Sequence, residues 1–213
     1  LEVAKGMGMD SRIGESFLRA GIGFGGSCFP KDVRALIKTA EEQGLNSGLI
    51  RETLAINEKQ QELLVEKAIN RFKKIEGKIF SLWGLSFKPD TDDMREAPSI
   101  KVARMLHENG AKLKAYDPKA MEKAKGILKD IVTFEPTPLA ALEGSDALFL
   151  VTEWNEFRDI PIRDIIQKLK QPVIFDGRNF FDIQQIHACK RIEYFPIGRK
   201  PIIKGLEEKS NHQ

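Results

Sequence analysis

From Leu49 to Glu76 the chain runs without a single glycine or proline, and directly afterwards, at Gly77, the period of its apolar residues changes. The first fact predicts a helix on the order of 40 Å long at 1.5 Å per residue. Its apolar positions Ile50, Leu54, Leu64, Val65, Ala68, Phe72 and Ile75 recur at helical spacing, so one face is buried. A shorter helix, Lys31 to Glu42, precedes it and stops at Gln43-Gly44. Beyond Gly77, short strand patterns at 78–84, 112–116, 131–134, 147–151, 173–175 and 192–195 alternate with helical segments, notably Ser99 to Glu108. That alternation predicts an α/β fold: a helical region over residues 1–76 with a long dimerisation helix, then a doubly wound parallel sheet over 77–213.

Composition narrows the function classes. The 213 residues, 41% hydrophobic and 31% charged, suit a globular chain with a sizeable core. The net charge of +3 (34 − 31) is spread without a basic run, which gives no case for nucleic acid or a membrane surface. No apolar stretch approaches the roughly 20 residues needed to span a bilayer. Cys28 and Cys189 and the three scattered histidines form neither a disulfide framework nor a metal-binding pattern, and a reducing, cytoplasmic setting is expected. The chain opens with Leu1 inside what reads as a helix-to-loop passage, so further residues are expected upstream.

In a doubly wound sheet the ligand sits outside the carboxyl ends of the strands. The first such loop, residues 85–98 (LSFKPDTDDMREAP), is not the glycine fingerprint of a dinucleotide site; it offers the Lys88 ammonium and the Arg95 fork instead. Asp117, after the second strand, is placed to bind a ribose hydroxyl. Taken singly, each of these charged residues reads more readily as a solvated loop side chain. Residues 21–32, GIGFGGSCFPKD, carry four glycines in six positions and then Cys28, with Pro30 suited to the first turn of a helix. A helix N-terminus and a nearby lysine both favour thiolate, making Cys28 a candidate nucleophile. The alternative is a tight turn with Cys28 as a small buried hydrophobe. Cys189, without a glycine loop, is the weaker candidate.

DSRIG (10–14), GIGFGGSCFPKD (21–32), GLSFKPDTDDMREAPS (84–99) and YDP (116–118), supported by TEWNEF (152–157) and FDGRN (175–179), resemble the UDP-glucose/GDP-mannose dehydrogenase family, and its UDP-glucose branch most. The resemblance implies an N-terminal NAD-binding domain, a central helical region and a C-terminal UDP-sugar-binding domain, of which this chain carries only the last two. It implies oxidation of a sugar alcohol to a carboxylate with two NAD reduced, through a cysteine thiohemiacetal and thioester. By that resemblance Cys28 is the nucleophile and Asp32 the carboxylate assisting the water. Phe17, Leu18, Arg19, Ala20, Gly21 and Gly25 belong to the loop around sugar and diphosphate, and Arg12 reaches the neighbouring subunit's substrate. Phe87 and Lys88 serve the uridine and phosphate, Arg178 the nucleotide sugar, and Lys31 and Arg95 touch NAD. The family's catalytic lysine and asparagine precede residue 1; Lys5 is not that lysine. UDP-glucose and a second copy of the chain are the expected partners. A binding or dimerisation module without activity, and a dehydrogenase of GDP-mannose or an N-acetylated UDP-sugar, are the alternatives.

Overall fold

The computed structural model describes residues 2–15 and 18–205. Three helices come first: α1 (Glu2–Gly8), α2 (Phe29–Glu42) and α3 (Gly48–Phe72). Strands and helices then alternate as β1 (Ile79–Trp83), α4 (Pro98–Glu108), β2 (Lys112–Tyr116), α5 (Met121–Leu128), β3 (Val132–Phe134), α6 (Pro138–Leu142) and β4 (Ala147–Leu150). After a 3-10 turn (Asn155–Asp159) follow α7 (Ile162–Lys168), β5 (Val173–Asp176), α8 (Ile183–Ala188), β6 (Ile192–Pro196) and β7 (Ile202–Lys204). The sheet order is β3-β2-β1-β4-β5-β6-β7, parallel throughout except for β7, which pairs antiparallel with β6. The chain reverses its direction of winding between β1 and β4, the switch point at which open α/β sheets place their ligand crevice.

Both faces of the sheet are covered because successive side chains of each strand alternate between them. Phe80, Leu82, Phe149, Val173 and Phe175 face a core that includes Leu64, Val65 and Ala68 of α3 and Val102, Ala103 and Leu106 of α4. Trp83, Leu148, Leu150, Ile174 and Tyr194 face the other core, with Ala141 and Leu142 of α6, Ile165 of α7 and Ile186 of α8. Burying one such Leu or Ile side chain contributes about 1.5–3 kcal/mol. The doubly wound architecture is the expected one. No helix among the described residues is long and apolar enough to cross a membrane.

The long helix is shorter than its glycine-free run. It stops at Phe72, where Lys73 takes a positive φ of 61° and its N–H donates to the Ile69 carbonyl. The chain must turn there to lead β1 into the sheet, and Ile75 is buried in the core beyond the helix end. Along α3 only the C-terminal half is buried, at Leu64, Val65 and Ala68, and Arg71 clamps that end by a two-armed pair with the buried Glu193 of β6. α2 begins at Phe29, two residues before the expected start, and Pro30 is its second residue, within the first turn. β7 was not expected: three residues between Pro201 and Gly205 are too few for an alternating pattern.

Candidate active site

The glycine loop lies against the carboxyl edge of the sheet. Ile22 N–H donates to the Gly177 carbonyl after β5 at 3.0 Å, and Gly26 N–H donates to the Arg95 carbonyl in the β1–α4 loop at 2.9 Å. Such close seating favours glycine, most strictly at Gly26, where the φ is positive. A Cβ on Gly26, whose φ is +89°, would stand 2.7 Å from the Phe87 ring, and one on Gly21 would stand 2.9 Å from Arg178 Nη1. The crevice at the switch point is therefore occupied in part by the chain's own loop, which ends by presenting Cys28.

Cys28 is exposed and forms the N-cap of α2, which excludes the reading of a small buried hydrophobe. Its carbonyl accepts from Asp32 N–H at 2.8 Å, so nucleophile candidate and carboxylate occupy one helical turn. Ser27 Oγ lies 3.7 Å from Cys28 Sγ. Lys31 Nζ is 3.3 Å from Asp32 Oδ1, and both side chains face solvent. Burial pushes the Cys189 thiol up.

Arg95 pairs with Asp93, which accepts from its Nε at 3.0 Å and its Nη2 at 2.7 Å; the guanidinium holds the Asp93 carboxyl below its usual range, and the Arg95 side chain is 70% exposed. Arg178 is 15% exposed: Nε donates to the Val151 carbonyl at 3.0 Å and lies 3.0 Å from Glu153 Oε2, while Nη2 donates to the Phe87 carbonyl at 3.1 Å. Its Nη1 makes no hydrogen bond among the described residues. Phe87 is half-buried, and Lys88 is exposed with its ammonium 5.5 Å from the centre of the Phe87 ring. Leu18 is half-buried and Arg19 and Ala20 exposed; Gly25 is buried, and Phe17 lies outside the described residues. Arg12 pairs with Asp10, through Nε at 3.0 Å and Nη2 at 2.6 Å, on an exposed turn after α1. The structure thus gathers Gly21, Gly25, Cys28, Asp32, Phe87, Arg95 and Arg178 at one edge, and gives Arg12 no contact with them among the described residues.

Asp117 corrects an expectation. It is buried, Oδ2 accepting from Leu85 N–H (2.6 Å), Ser86 N–H (3.1 Å) and Trp154 Nε1 (3.0 Å), and Oδ1 from Lys119 N–H (2.9 Å) and Ala120 N–H (2.7 Å). Its oxygens are taken up in tying three loops together and not presented to a ribose. Asp176 does the same after β5, accepting from the N–H groups of Arg178, Phe180 and Phe181 and from the Tyr194 hydroxyl; burial raises its carboxyl above the ordinary value. Behind Phe24, a groove of about 440 Å³ opens between α2, α3 and α4, where Arg34, Lys101 and Arg104 alternate with Glu58, Glu96 and Glu108, a mixture favouring no single sign of ligand charge.

Residues 1–59 match the model of the UDP-glucose/GDP-mannose dehydrogenase family, central domain, and residues 81–183 that of the same family's UDP binding domain. The chain is 44% identical over 201 residues, 94% of its length, to the UDP-glucose 6-dehydrogenase YwqF of Bacillus subtilis, covering 46% of that relative. It is 45% identical over 186 residues, 84% of its length, to a UDP-glucose 6-dehydrogenase of Pseudomonas aeruginosa, covering 41% of it. A solved UDP-glucose dehydrogenase of the archaeon Pyrobaculum islandicum superposes with a TM-score of 0.78 at 36% identity, over 91% of this chain and 42% of that one. The chain spans somewhat less than half the length of these relatives. With both domain models matched in order along one chain, it belongs to the UDP-glucose/GDP-mannose dehydrogenase family, of which it carries the central and UDP-binding domains.

Proposed function

We propose that this chain is the nucleophile-bearing and nucleotide-sugar-binding half of a UDP-glucose 6-dehydrogenase. The observation that carries the reading is Cys28: exposed, at the first turn of α2, delivered by a glycine loop bonded to the loops after β1 and β5. The identity to relatives bearing that name supports the choice of sugar nucleotide.

The roles follow from what each residue leaves available. Lys88, exposed, offers an ammonium to the diphosphate, and the half-buried Phe87 a flat surface to the base. Leu18, Arg19, Ala20, Gly21 and Gly25, with Phe17, form the loop around the sugar, and Arg178 Nη1 reaches a hydroxyl. Lys31 and Arg95, both exposed beside Cys28, fit the rim of a site for an anionic dinucleotide such as NAD, most of whose contacts come from outside these residues. Two NAD molecules bound there in succession would each accept one hydride of the four-electron oxidation. Cys28 Sγ forms a C–S bond to the aldehyde carbon and later yields that carbon to water, recovering its electron pair, while Asp32 takes the proton of the attacking water.

A homodimer completes this reading. Leu49, Ile56 and Leu63 recur every seven residues along α3 and are 90%, 49% and 37% exposed, an apolar stripe opposite the buried Leu64 and Val65. A second α3 laid along it would cover the stripe, and Arg12 would then serve the partner's site. A cytoplasmic setting would keep Cys28 reduced.

Calorimetric titration with UDP-glucose, and with GDP-mannose as comparison, tests the substrate. Binding of UDP-glucose alone is the expected result; equal binding of both, or of neither, overturns the choice. In a protein that also carries the NAD domain, Cys28→Ser should abolish formation of the sugar acid and leave UDP-glucose affinity within about twofold. Turnover surviving that replacement would remove Cys28 from the chemistry.

A further inference from the structure

Asn57 is half-buried on α3, 33 positions from Phe24, yet its amide grips the Phe24 peptide from both ends. Oδ1 accepts from Phe24 N–H at 2.7 Å, and Nδ2 donates to the Phe24 carbonyl at 3.0 Å. Gly23 makes room for this approach: with φ at +98°, a Cβ there would stand 2.7 Å from Asn57 Oδ1 and 3.0 Å from the Asn57 carbonyl oxygen. Neither polar group of the Phe24 backbone has another partner among the described residues.

The loop's hydrogen bonds alternate. Ile22 N–H is held by Gly177, Phe24 N–H by Asn57 and Gly26 N–H by Arg95, while the N–H groups of Gly23 and Gly25 make no hydrogen bond among the described residues. An unpaired backbone donor is costly to bury, so a run with every second N–H held and every other one free suits an acceptor-rich ligand. The outer two bonds come from the sheet edge and the β1–α4 loop; the central one comes from a side chain on the long helix.

Resting on the reading of residues 21–28 as the sugar-nucleotide and nucleophile loop, we infer that Asn57 is a positioning residue for that loop. By occupying the Phe24 peptide it leaves the Gly23 and Gly25 N–H groups for oxygen atoms of the ligand, and it fixes the path of the chain into Cys28. Asn57 makes no contact with the reacting atoms; it acts through Phe24.

The test uses this chain with Cys189→Ser, so that Cys28 is the sole thiol, and compares Asn57→Ala with Lys59→Ala, an exposed change on the same helix. Amide exchange is followed at Phe24 and at Leu148 in the buried β4, together with the rate of Cys28 alkylation by iodoacetamide and the affinity for UDP-glucose. Asn57→Ala should speed exchange at Phe24 about tenfold or more, leave Leu148 unchanged, alter the Cys28 alkylation rate and weaken UDP-glucose about tenfold. Lys59→Ala should change none of these. Phe24 exchange at the parental rate, or a rise at Phe24 matched by one at Leu148, would overturn the inference. Should Asn57→Ala not fold, Asn57→Asp serves: it keeps the acceptor and loses the donor, so Phe24 N–H stays slow while UDP-glucose binds more weakly, and parental affinity would count against the role. If the parent chain itself does not bind UDP-glucose, the substrate reading fails, and Phe24 exchange with Cys28 alkylation still decides the positioning role.

Discussion

Gly25 stands so close to Glu96 that a Cβ on it would lie 2.1 Å from the Glu96 carbonyl oxygen and 3.1 Å from Cδ of Pro98. Both obstacles belong to stiff parts of the chain, and Glu96 itself has a positive φ of 51°. Gly25→Ala must therefore push the glycine loop off the β1–α4 loop. We expect about 1–3 kcal/mol of destabilisation, a fall in Tm of several degrees for a chain of this size, read by calorimetry. A fall of less than a degree would mean the loop has slack.

Asp117 joins the loops after β1, β2 and β4. Asp117→Ala would strand the N–H groups of Leu85, Ser86, Lys119 and Ala120 and the indole of Trp154. At roughly 1 kcal/mol for each of the five stranded donors, combined less than additively, the loss should be about 3–5 kcal/mol in a urea titration. A loss under 1 kcal/mol would contradict the role of Asp117 as the tie.

The chain has two tyrosines, and both hold their protons above the ordinary value. Burial, followed by the hydrogen bond to Glu156, pushes Tyr116 up to about 12; burial and then the neighbouring Asp176 carboxylate push Tyr194 further. Because the folded value lies above the unfolded one near 10, the stability Tyr116 contributes is complete below pH 10 and is lost as the pH rises toward about 12. Absorbance near 295 nm should show little phenolate at pH 10.5 in the folded protein and both phenolates after unfolding in urea. Half-ionisation of one tyrosine at pH 10 with the fold intact would refute this.

Leu64→Ala should cost about 2–5 kcal/mol, because the side chain is fully buried between α3 and the sheet. Ile56→Glu, on the exposed stripe, should cost no more than about 0.5 kcal/mol in the monomer but halve the mass seen by light scattering if α3 pairs with its copy. An unchanged mass in a parent that is dimeric would place the interface elsewhere.

Much of the fold was legible because it rests on local periodicity: the glycine-free run gave α3, and the shift of period at Gly77 gave β1 through β6. β7 escaped because three residues between turns carry no period. The site was legible where chemistry and backbone coincide, as in the glycines leading to Cys28. Asp117 was misread because an acid at a strand end has the same local signature whether it faces a ligand or its own loops, and burial alone separates the two. Asn57 carried no signal at all: its partner is 33 positions away, and a lone asparagine on a polar helix face resembles any solvated one.

The fastening of α3 makes it a lever. Its C-terminal turns are fixed by the buried Leu64, Val65 and Ala68 and the Arg71–Glu193 clamp, while its N-terminal turns are held by polar contacts, Arg51 with Glu41 of α2 and the Glu58 carbonyl and Glu62 with Lys101 of α4. Pivoting near Leu64, a tilt of about 5° would carry Leu49 about 2 Å and Asn57 about 1 Å at 1.5 Å of rise per residue. One ångström is enough to pull the Asn57 amide from the Phe24 backbone, so a tilt of the helix is felt four residues from the thiol.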